Sequence, residues 1–352
     1  MKKIFALAAL AAAVTITSCN NDDDVQPQNQ TVEEGVALKN VQVGINTIES
    51  RAGIFANAFS GAESIGLYLF NETGFGNNYN VGSSGTTVKP ENIKYDRNET
   101  EGWWTGTNPI ILTSTKGNMY AYYPWASGNT DASKIAVMVN ANQGTGISDG
   151  TADVAEQTDY MWAAHDVLVD NTTTQVGFTM NHALAMVSFR FVRDTYPGEA
   201  VIQKIELANV TNGEYLKTGA ATMNVNGGAI TGGTKGSVYC EPNVSLADAD
   251  PDNHAELPHM LIYPTSAEVT SSDLVLNITM DGKAYQIGIP SKLKTSGDAY
   301  KFEAGKNYIY TLKMKGHGFG ADDEDGRDDI TVEIAGWVDQ EVEEGELTKP
   351  IN

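Results

Sequence analysis

Two residues near the N-terminus have the types and surroundings for covalent processing. The first is Cys19, which follows Lys2, Lys3 and an apolar stretch over residues 4–16. A basic start before a short apolar core is typical of a secretory signal peptide. Because small residues come directly before Cys19, residues 1–18 are predicted to be a lipoprotein signal peptide whose removal leaves Cys19 as the lipidated N-terminus. An ordinary signal peptide with an incidental cysteine is the alternative.

The second residue is Arg51, which is the only Lys or Arg between Lys39 and Lys89. A lone cation followed by Ala52 and Gly53 is accessible to a trypsin-like protease, whereas most other basic residues fall within or beside predicted strands. We therefore predict a processing cut between Arg51 and Ala52. A surface arginine without a role is the alternative.

Other reactive residue types are present, but not at the spacing that catalysis or metal binding needs. The five histidines are scattered, and the chain has no HExxH, GxSxG or GxxxxGK[ST] motif. Acidic stretches at residues 248–253 and 321–329 bunch carboxylates as calcium requires, but neither fits the EF-hand loop. The chain is therefore predicted to be no enzyme and to need no metal or cofactor. The acidic stretches are interpreted as solvated loops, with calcium binding as the alternative.

The composition limits the partners. The chain has 23 Lys plus Arg against 45 Asp plus Glu, a formal net charge of −22. Nucleic acids and anionic membrane surfaces both select basic patches, so this charge argues against either partner. The only other cysteine, Cys240, has no partner if Cys19 carries lipid, and no intrachain disulfide is then expected.

The elements that position these residues are β-strands, because apolar and polar residues alternate over most of the chain. Ahead of Arg51, a strand is predicted over residues 41–48 with Val41, Val43 and Ile45 on one face.

A strand near the C-terminus repeats that spacing. It begins at Ile330 and places Ile330, Val332 and Ile334 on one face, with Thr331 and Glu333 on the other. The residues after Trp337 are strongly acidic, which does not suit an apolar groove, so the apolar strand is predicted to end near Val338.

A third strand alternates on both faces. It places Ile65, Leu67 and Leu69 on one side and Tyr68 and Phe70 on the other.

Many short strands bounded by Gly, Asn and Asp, with almost no helical period, predict an all-β fold of β-sandwich architecture. Residues 19–35 are polar and acidic and are predicted to form a disordered tether. A polar stretch near residues 169–175 predicts a boundary between an N-terminal domain, 36–171, and a C-terminal domain, 172–352.

Aromatic clusters offer a different function. Trp103 and Trp104 are adjacent, so in a strand they point to opposite faces, and an exposed indole there could stack on a sugar. The alternating aromatics of residues 119–125 are interpreted as core instead.

In their order along the chain, several segments resemble the fimbrillin-like (Mfa-like) family of lipoprotein subunits that build type V pili. The most specific is a strand, a short His-Ala-Leu-Ala connector and a second strand over residues 176–191, in which His182 is interpreted as a structural connector residue. The others are the residues before Cys19, the Ser50-Arg51-Ala52 junction, and residues 63–70, 119–125, 159–163, 305–314 and 330–337.

This resemblance implies two transthyretin-like, Greek-key β-sandwich domains. It also implies a precursor held in the outer membrane by lipid on Cys19 and cut after a basic residue by a trypsin-like protease. The removed strand maps onto residues 41–48 and the cut onto Arg51. A donor strand from Ile330 onward would then fill the groove of the next subunit.

The function that the resemblance implies is a structural or accessory subunit of a cell-surface pilus with a role in adhesion. The partners would be other pilus subunits, the protease, and a host or bacterial surface ligand that the sequence does not identify. Two alternatives are an unprocessed anchor subunit and a lipid-anchored glycan-binding protein that uses Trp103 and Trp104.

Overall fold

The computed structural model describes residues 35–45, 59, 62–79, 90–146, 157–173, 175–193, 196–210, 213–245, 258–270, 272–289, 301–315, 318–319 and 330–336. Within these ranges the chain forms strands and turns and no helix, so the predicted all-β fold is confirmed. The strands are β1 Val36–Ala37, β2 Asn40–Ile45, β3 Ser64–Asn71, β4 Ile93–Arg97, β5 Trp104–Thr105, β6 Ile111–Leu112, β7 Gly117–Tyr123, β8 Ile135–Val139, β9 Met161–Ala164, β10 Val176–His182, β11 Ala185–Arg193, β12 Val201–Asn209, β13 Lys217–Met223, β14 Ile230–Lys235, β15 Val238–Cys240, β16 Val244–Ser245, β17 His259–Ile262, β18 Leu274–Met280, β19 Lys283–Ile289, β20 Lys306–Lys315, β21 Gly318–Phe319 and β22 Ile330–Gly336.

Seven strands close into a barrel in the order β10-β2-β5-β4-β3-β7-β9. All neighbours in it are antiparallel except β2 and β10, which run parallel. A strand with a parallel neighbour cannot be joined to it by a tight hairpin, so β2 pairs with a segment far away in the sequence.

The other strands form separate sheets. One has the order β17-β11-β20, and both β21 and β22 pair with β20. A second has the order β15-β12-β18-β19, with β16 also on β12, and a third has the order β14-β13-β8. The short strands β1 and β6 pair with each other.

The described residues form two hydrophobic cores, and β3 and β7 separate them. Ile65, Leu67 and Leu69 face the barrel core, whereas Tyr68 and Phe70 pack into the larger core that the later strands build. This is the division between faces that the alternation in β3 predicts. Because both faces are buried, the wall between the cores has no solvent-exposed side.

The predicted domain boundary lies between strands that pair with each other. It falls between β9 and β10, which are neighbours in the barrel, and β8 pairs with β13 across it. Residues Glu33–Asn352 form one compact unit. The division at residue 171 therefore stays a prediction.

Gly66 marks the tightest point of this wall. A Cβ added there would lie 2.0 Å from Cε1 of Tyr122, the residue opposite it on β7. The Tyr122 hydroxyl donates a hydrogen bond of 2.5 Å to Asn92 Oδ1 and accepts one of 3.1 Å from the Ala126 amide, so the ring cannot move without breaking these bonds.

We expect Gly66→Ala to lower the free energy of unfolding by about 1–3 kcal/mol, the usual cost of overpacking. The measurement is urea unfolding. Gly177→Ala is the matched control, because a Cβ at Gly177 in β10 meets nothing within 4 Å. Equal stability of the two variants would contradict this account of the wall.

Candidate functional site

The strand ahead of Arg51 is built into the barrel. Val41 is 0% exposed, and Val43 and Ile45 are partly buried against the same core, while the intervening residues face solvent. Residues 46–48 of the predicted strand lie outside the described residues. Full burial of a Val side chain stabilises by roughly 1.5–3 kcal/mol, so only Val41 contributes that much and the other two contribute less.

The backbone pairing of β2 is uneven. Val41–Ile45 lie opposite Val176–Met180 of β10, whereas β5 pairs only with Asn40 and Val41. Within the described residues, the last four residues of β2 therefore have a strand partner on one side only. Among the described strands, β2 is the only one that pairs with residues 176–180 of β10, because β9 pairs with β10 only at Asn181 and His182.

The residues just before β2 also belong to the barrel. Leu38 is buried in its core, and its backbone carbonyl accepts a hydrogen bond of 2.6 Å from the Tyr95 hydroxyl. The same hydroxyl accepts a bond of 3.1 Å from the Ile110 amide, and burial raises the pKa of Tyr95 to about 12. Sequence reasoning missed Leu38 because it lies outside the alternating pattern.

β2 ends at Ile45, and Phe59 is the next residue that the structure describes. The Phe59 ring is buried and packs edge-on against Trp104, with 4.9 Å between centroids, and against Tyr123 at 5.1 Å. The predicted cut at Arg51 and Ala52 lies outside the described residues, between these two fixed points. We call the end of the barrel at which β2 finishes the exit end.

Four polar residues cluster at the exit end: Glu63 before β3, Tyr123 at the end of β7, Asp159 before β9 and His182 at the end of β10. His182 Nδ1 lies 2.8 Å from Asp159 Oδ2, and both side chains are buried. Burial raises the pKa of Tyr123 well above its usual range, and the negative charges of Glu63 and Asp159 add to this shift. His182 thus ties the end of β10 to the segment before β9, as a connector residue would.

Burial raises the pKa of Glu63 from 4.5 to about 7, although the positive charge of Arg97 and a hydrogen bond from Tyr123 oppose the shift. The folded protein therefore keeps this proton between pH 4.5 and about 7, where the unfolded chain has lost it. The stability from the neutral carboxyl is complete below pH 4.5 and is lost as the pH rises through about 7.

We expect this loss to be about 1–2 kcal/mol, after a discount for the partial exposure of Glu63. The measurement is urea unfolding at pH 5 and pH 8 for wild type and Glu63→Gln. The variant removes the titrating group and keeps the shape. Between pH 5 and pH 8, the free energy of unfolding of wild type should therefore fall by that amount relative to that of Glu63→Gln. A difference that does not change with pH would contradict the assignment.

The predicted donor strand is β22. Its residues Ile330–Gly336 pair antiparallel with Leu312–Lys306 of β20. Within the described part of the chain, β22 has no second strand partner, so it lies at the edge of its sheet. The residues from 337 onward, which include the acidic tail, lie outside the described ranges.

The two adjacent tryptophans occupy different environments. Trp104 is 1% exposed and packs against Phe59, so its burial speaks against the glycan contact predicted for it. Trp103 is partly buried. In β7, Tyr120 and Tyr122 belong to the larger core, as the core interpretation of this segment predicts.

Several predictions fall on residues that the structure does not describe, namely lipidation at Cys19, the acidic stretch at 248–253 and that at 321–329. Among the described residues, no three His, Cys, Asp or Glu side chains are grouped so that they could hold a metal ion. The same residues include no helix of the length and hydropathy that a membrane span needs.

Comparison with known proteins gives one family and a set of similar structures. A family model described as fimbrillin-like matches residues 50–337, and no curated protein matches. A crystal structure of a candidate cell adhesion protein from Bacteroides ovatus is 19% identical, with a TM-score of 0.57 over 87% of this chain and 100% of that one. A second, from Bacteroides uniformis, is also 19% identical, with a TM-score of 0.54 over 85% of this chain and 99% of that one. At this identity the likeness shows the fold.

Proposed function

The chain belongs to the fimbrillin-like family, and from this premise we propose that it is a non-catalytic structural subunit of a cell-surface pilus with a role in adhesion. In this proposal the precursor reaches the outer membrane through lipid on Cys19. A trypsin-like protease then cuts after Arg51, and the segment up to Arg51 leaves the barrel. The C-terminal strand of a neighbouring subunit, from Ile330 onward, takes its place.

The observation that carries the proposal is the position of β2. It completes a closed barrel, yet it comes from the end of the chain that the cut would release. Its removal would withdraw Leu38 and Val41 from the barrel core and leave the backbone of β10 without its partner at residues 176–180. An exposed strand edge above an apolar groove favours the addition of another strand.

A cut is needed because, in the intact precursor, the covalently tethered β2 keeps the groove filled and excludes a strand from another subunit. While β2 is joined to Phe59 through residues 46–58, its effective concentration at the groove is in the millimolar range or above, as expected for a short tether. A strand from another subunit at micromolar concentration cannot compete with it. After the cut, β2 is held without a covalent tether, by the burial of Leu38 and Val41 and by a pairing that is one-sided from Gln42 onward.

The edge position of β22 supports its role as the donor. A strand that pairs on one side can leave its sheet without separating two others. Its alternating apolar residues match those of β2 in spacing, so either strand can offer one apolar face to the barrel.

The experiment is to identify the N-terminal residue of the protein that is recovered from surface fibres. We expect Ala52, and limited trypsin treatment of the purified precursor should produce the same terminus together with multimers that resist SDS. Cys19 as the terminus of assembled protein would overturn processing and favour the anchor subunit. Binding to immobilised polysaccharide that is lost in Trp103→Ala would favour the glycan-binding alternative instead.

A further inference from the structure

The exit end of the barrel contains two carboxylate oxygens without a partner. Asp159 is 0% exposed, and only its Oδ2 is bonded, to His182. Its Oδ1 and the Oε2 of Glu63 are buried and accept no hydrogen bond from any residue that the structure describes. A buried charged oxygen without a hydrogen bond destabilises the fold by its desolvation penalty. A hydrogen-bond donor at these oxygens would remove that penalty, and a cationic donor would remove most of it.

The charged and titratable groups around the cluster do not supply that cation. His182 faces the other oxygen of Asp159, and Tyr123 bonds to Glu63. Arg97 acts on Glu63 through its charge, yet the pKa of Glu63 still rises to about 7, so the carboxylate remains undercompensated. Because these groups are not arranged to hold a metal ion, the missing partner is better matched by an ammonium group, which donates hydrogen bonds from one small centre.

Processing would create such a group close by. A cut after Arg51 converts the Ala52 nitrogen into an α-ammonium, and Ala52 lies seven positions before Phe59 in the sequence. The Phe59 ring is fixed 5.1 Å from the ring of Tyr123, a member of the cluster. Seven residues span at most about 25 Å, so the new terminus is tethered within reach of both carboxylates, at an effective concentration on the order of millimolar.

We propose that the α-ammonium of Ala52, once cleavage has created it, binds to Glu63 and Asp159 at the exit end of the barrel. This inference depends on the cut at Arg51 that the proposed function includes. The bound terminus donates hydrogen bonds to the unpaired oxygens of these two carboxyl groups and draws residues 52–58 toward the exit end. It thereby keeps Phe59 in the core and the new terminus out of the groove that β2 leaves.

The test measures the reactivity of this amine in the full chain. Ser50→Gly places the recognition sequence of factor Xa directly before Ala52, so the cut can be made in vitro whether or not cells make it. An amine-acylating reagent is then applied at pH 7 to the nicked protein, and mass spectrometry follows the labelling of Ala52. The same measurement is made on a free peptide of residues 52–58, on Glu63→Gln, on Asp159→Asn and on the control Asp166→Asn, which replaces an exposed carboxylate.

An α-amino group has an ordinary pKa near 7.7–8.0, and a bound ammonium is protected from acylation. We expect labelling of the nicked chain to be at least tenfold slower than that of the peptide. Each cluster variant should remove most of this protection, while Asp166→Asn should keep it. Equal rates for the nicked protein and the peptide, a comparison that needs neither cluster variant to fold, would overturn the inference. That result would not contradict processing at Arg51 in cells, because the N-terminal residue of protein from surface fibres tests processing independently.

Discussion

Replacing Arg51 by alanine is expected to abolish assembly, lowering the yield of fibres at least a hundredfold. Without the cut, β2 stays tethered at the barrel and the groove never opens to a second subunit. The measurement is the amount of SDS-resistant multimer formed after protease treatment. Arg51→Lys is the matched control, because a trypsin-like protease also cuts after lysine, and it should assemble like wild type.

Assembly of the Arg51→Ala variant at the wild-type level would show that β2 need not be released. The barrel would then be a permanent structure, and the subunits would have to join through other surfaces.

Removal of residues 330–352 is expected to give a subunit that accepts a strand but cannot donate one. After processing it should form no fibres alone, and mixed at equal amounts with wild type it should shorten fibres severalfold, because each truncated subunit ends a chain. Fibre length by electron microscopy is the readout. Truncation after Val338 is the matched control, since it keeps all of β22 and the apolar residues up to Val338 and removes only the acidic tail.

The structure adds a requirement to this experiment. Since β22 pairs with β20 over seven residues, the truncated subunit loses that edge pairing and its folding must be checked by thermal unfolding. A folded truncated subunit that still polymerises would assign donation to another segment. Failure of the tail control alone would extend the donor strand beyond Val338.

The strands themselves could be predicted from the sequence, because alternation reports which residues share a face. This holds for β2 and for both faces of β3, and the predicted start of the C-terminal strand at Ile330 agrees with the start of β22. Alternation does not report the partner of a strand, so neither the parallel pairing of β2 with β10 nor the burial of Tyr68 and Phe70 in a second core could be foreseen. The prediction that a C-terminal strand replaces β2 in another subunit came from the family resemblance.

The polar groups of the exit end were not predictable as a site for the same reason. Glu63, Tyr123, Asp159 and His182 come from four separate segments and carry no motif, and only closure of the barrel brings them together. Phe59 was missed because a single aromatic residue without alternating apolar neighbours in the sequence gives no periodic signal. A signal was available for His182, whose connector role the strand pattern on either side of it suggested.

The most direct test of strand exchange asks what lies beside β10 in an assembled fibre. A cysteine is introduced at Thr179, an exposed position of β10, together with single cysteines along residues 331–335, and the subunits carry two isotope labels in equal amounts. The native Cys240 is fully buried and stays in place. Oxidised fibres should contain disulfides between Thr179→Cys of one chain and the C-terminal strand of another, because paired strands bring Cα atoms within about 4.4–6.8 Å. Fibres in which no position from 331 to 335 cross-links to Thr179→Cys of a different chain would contradict the account.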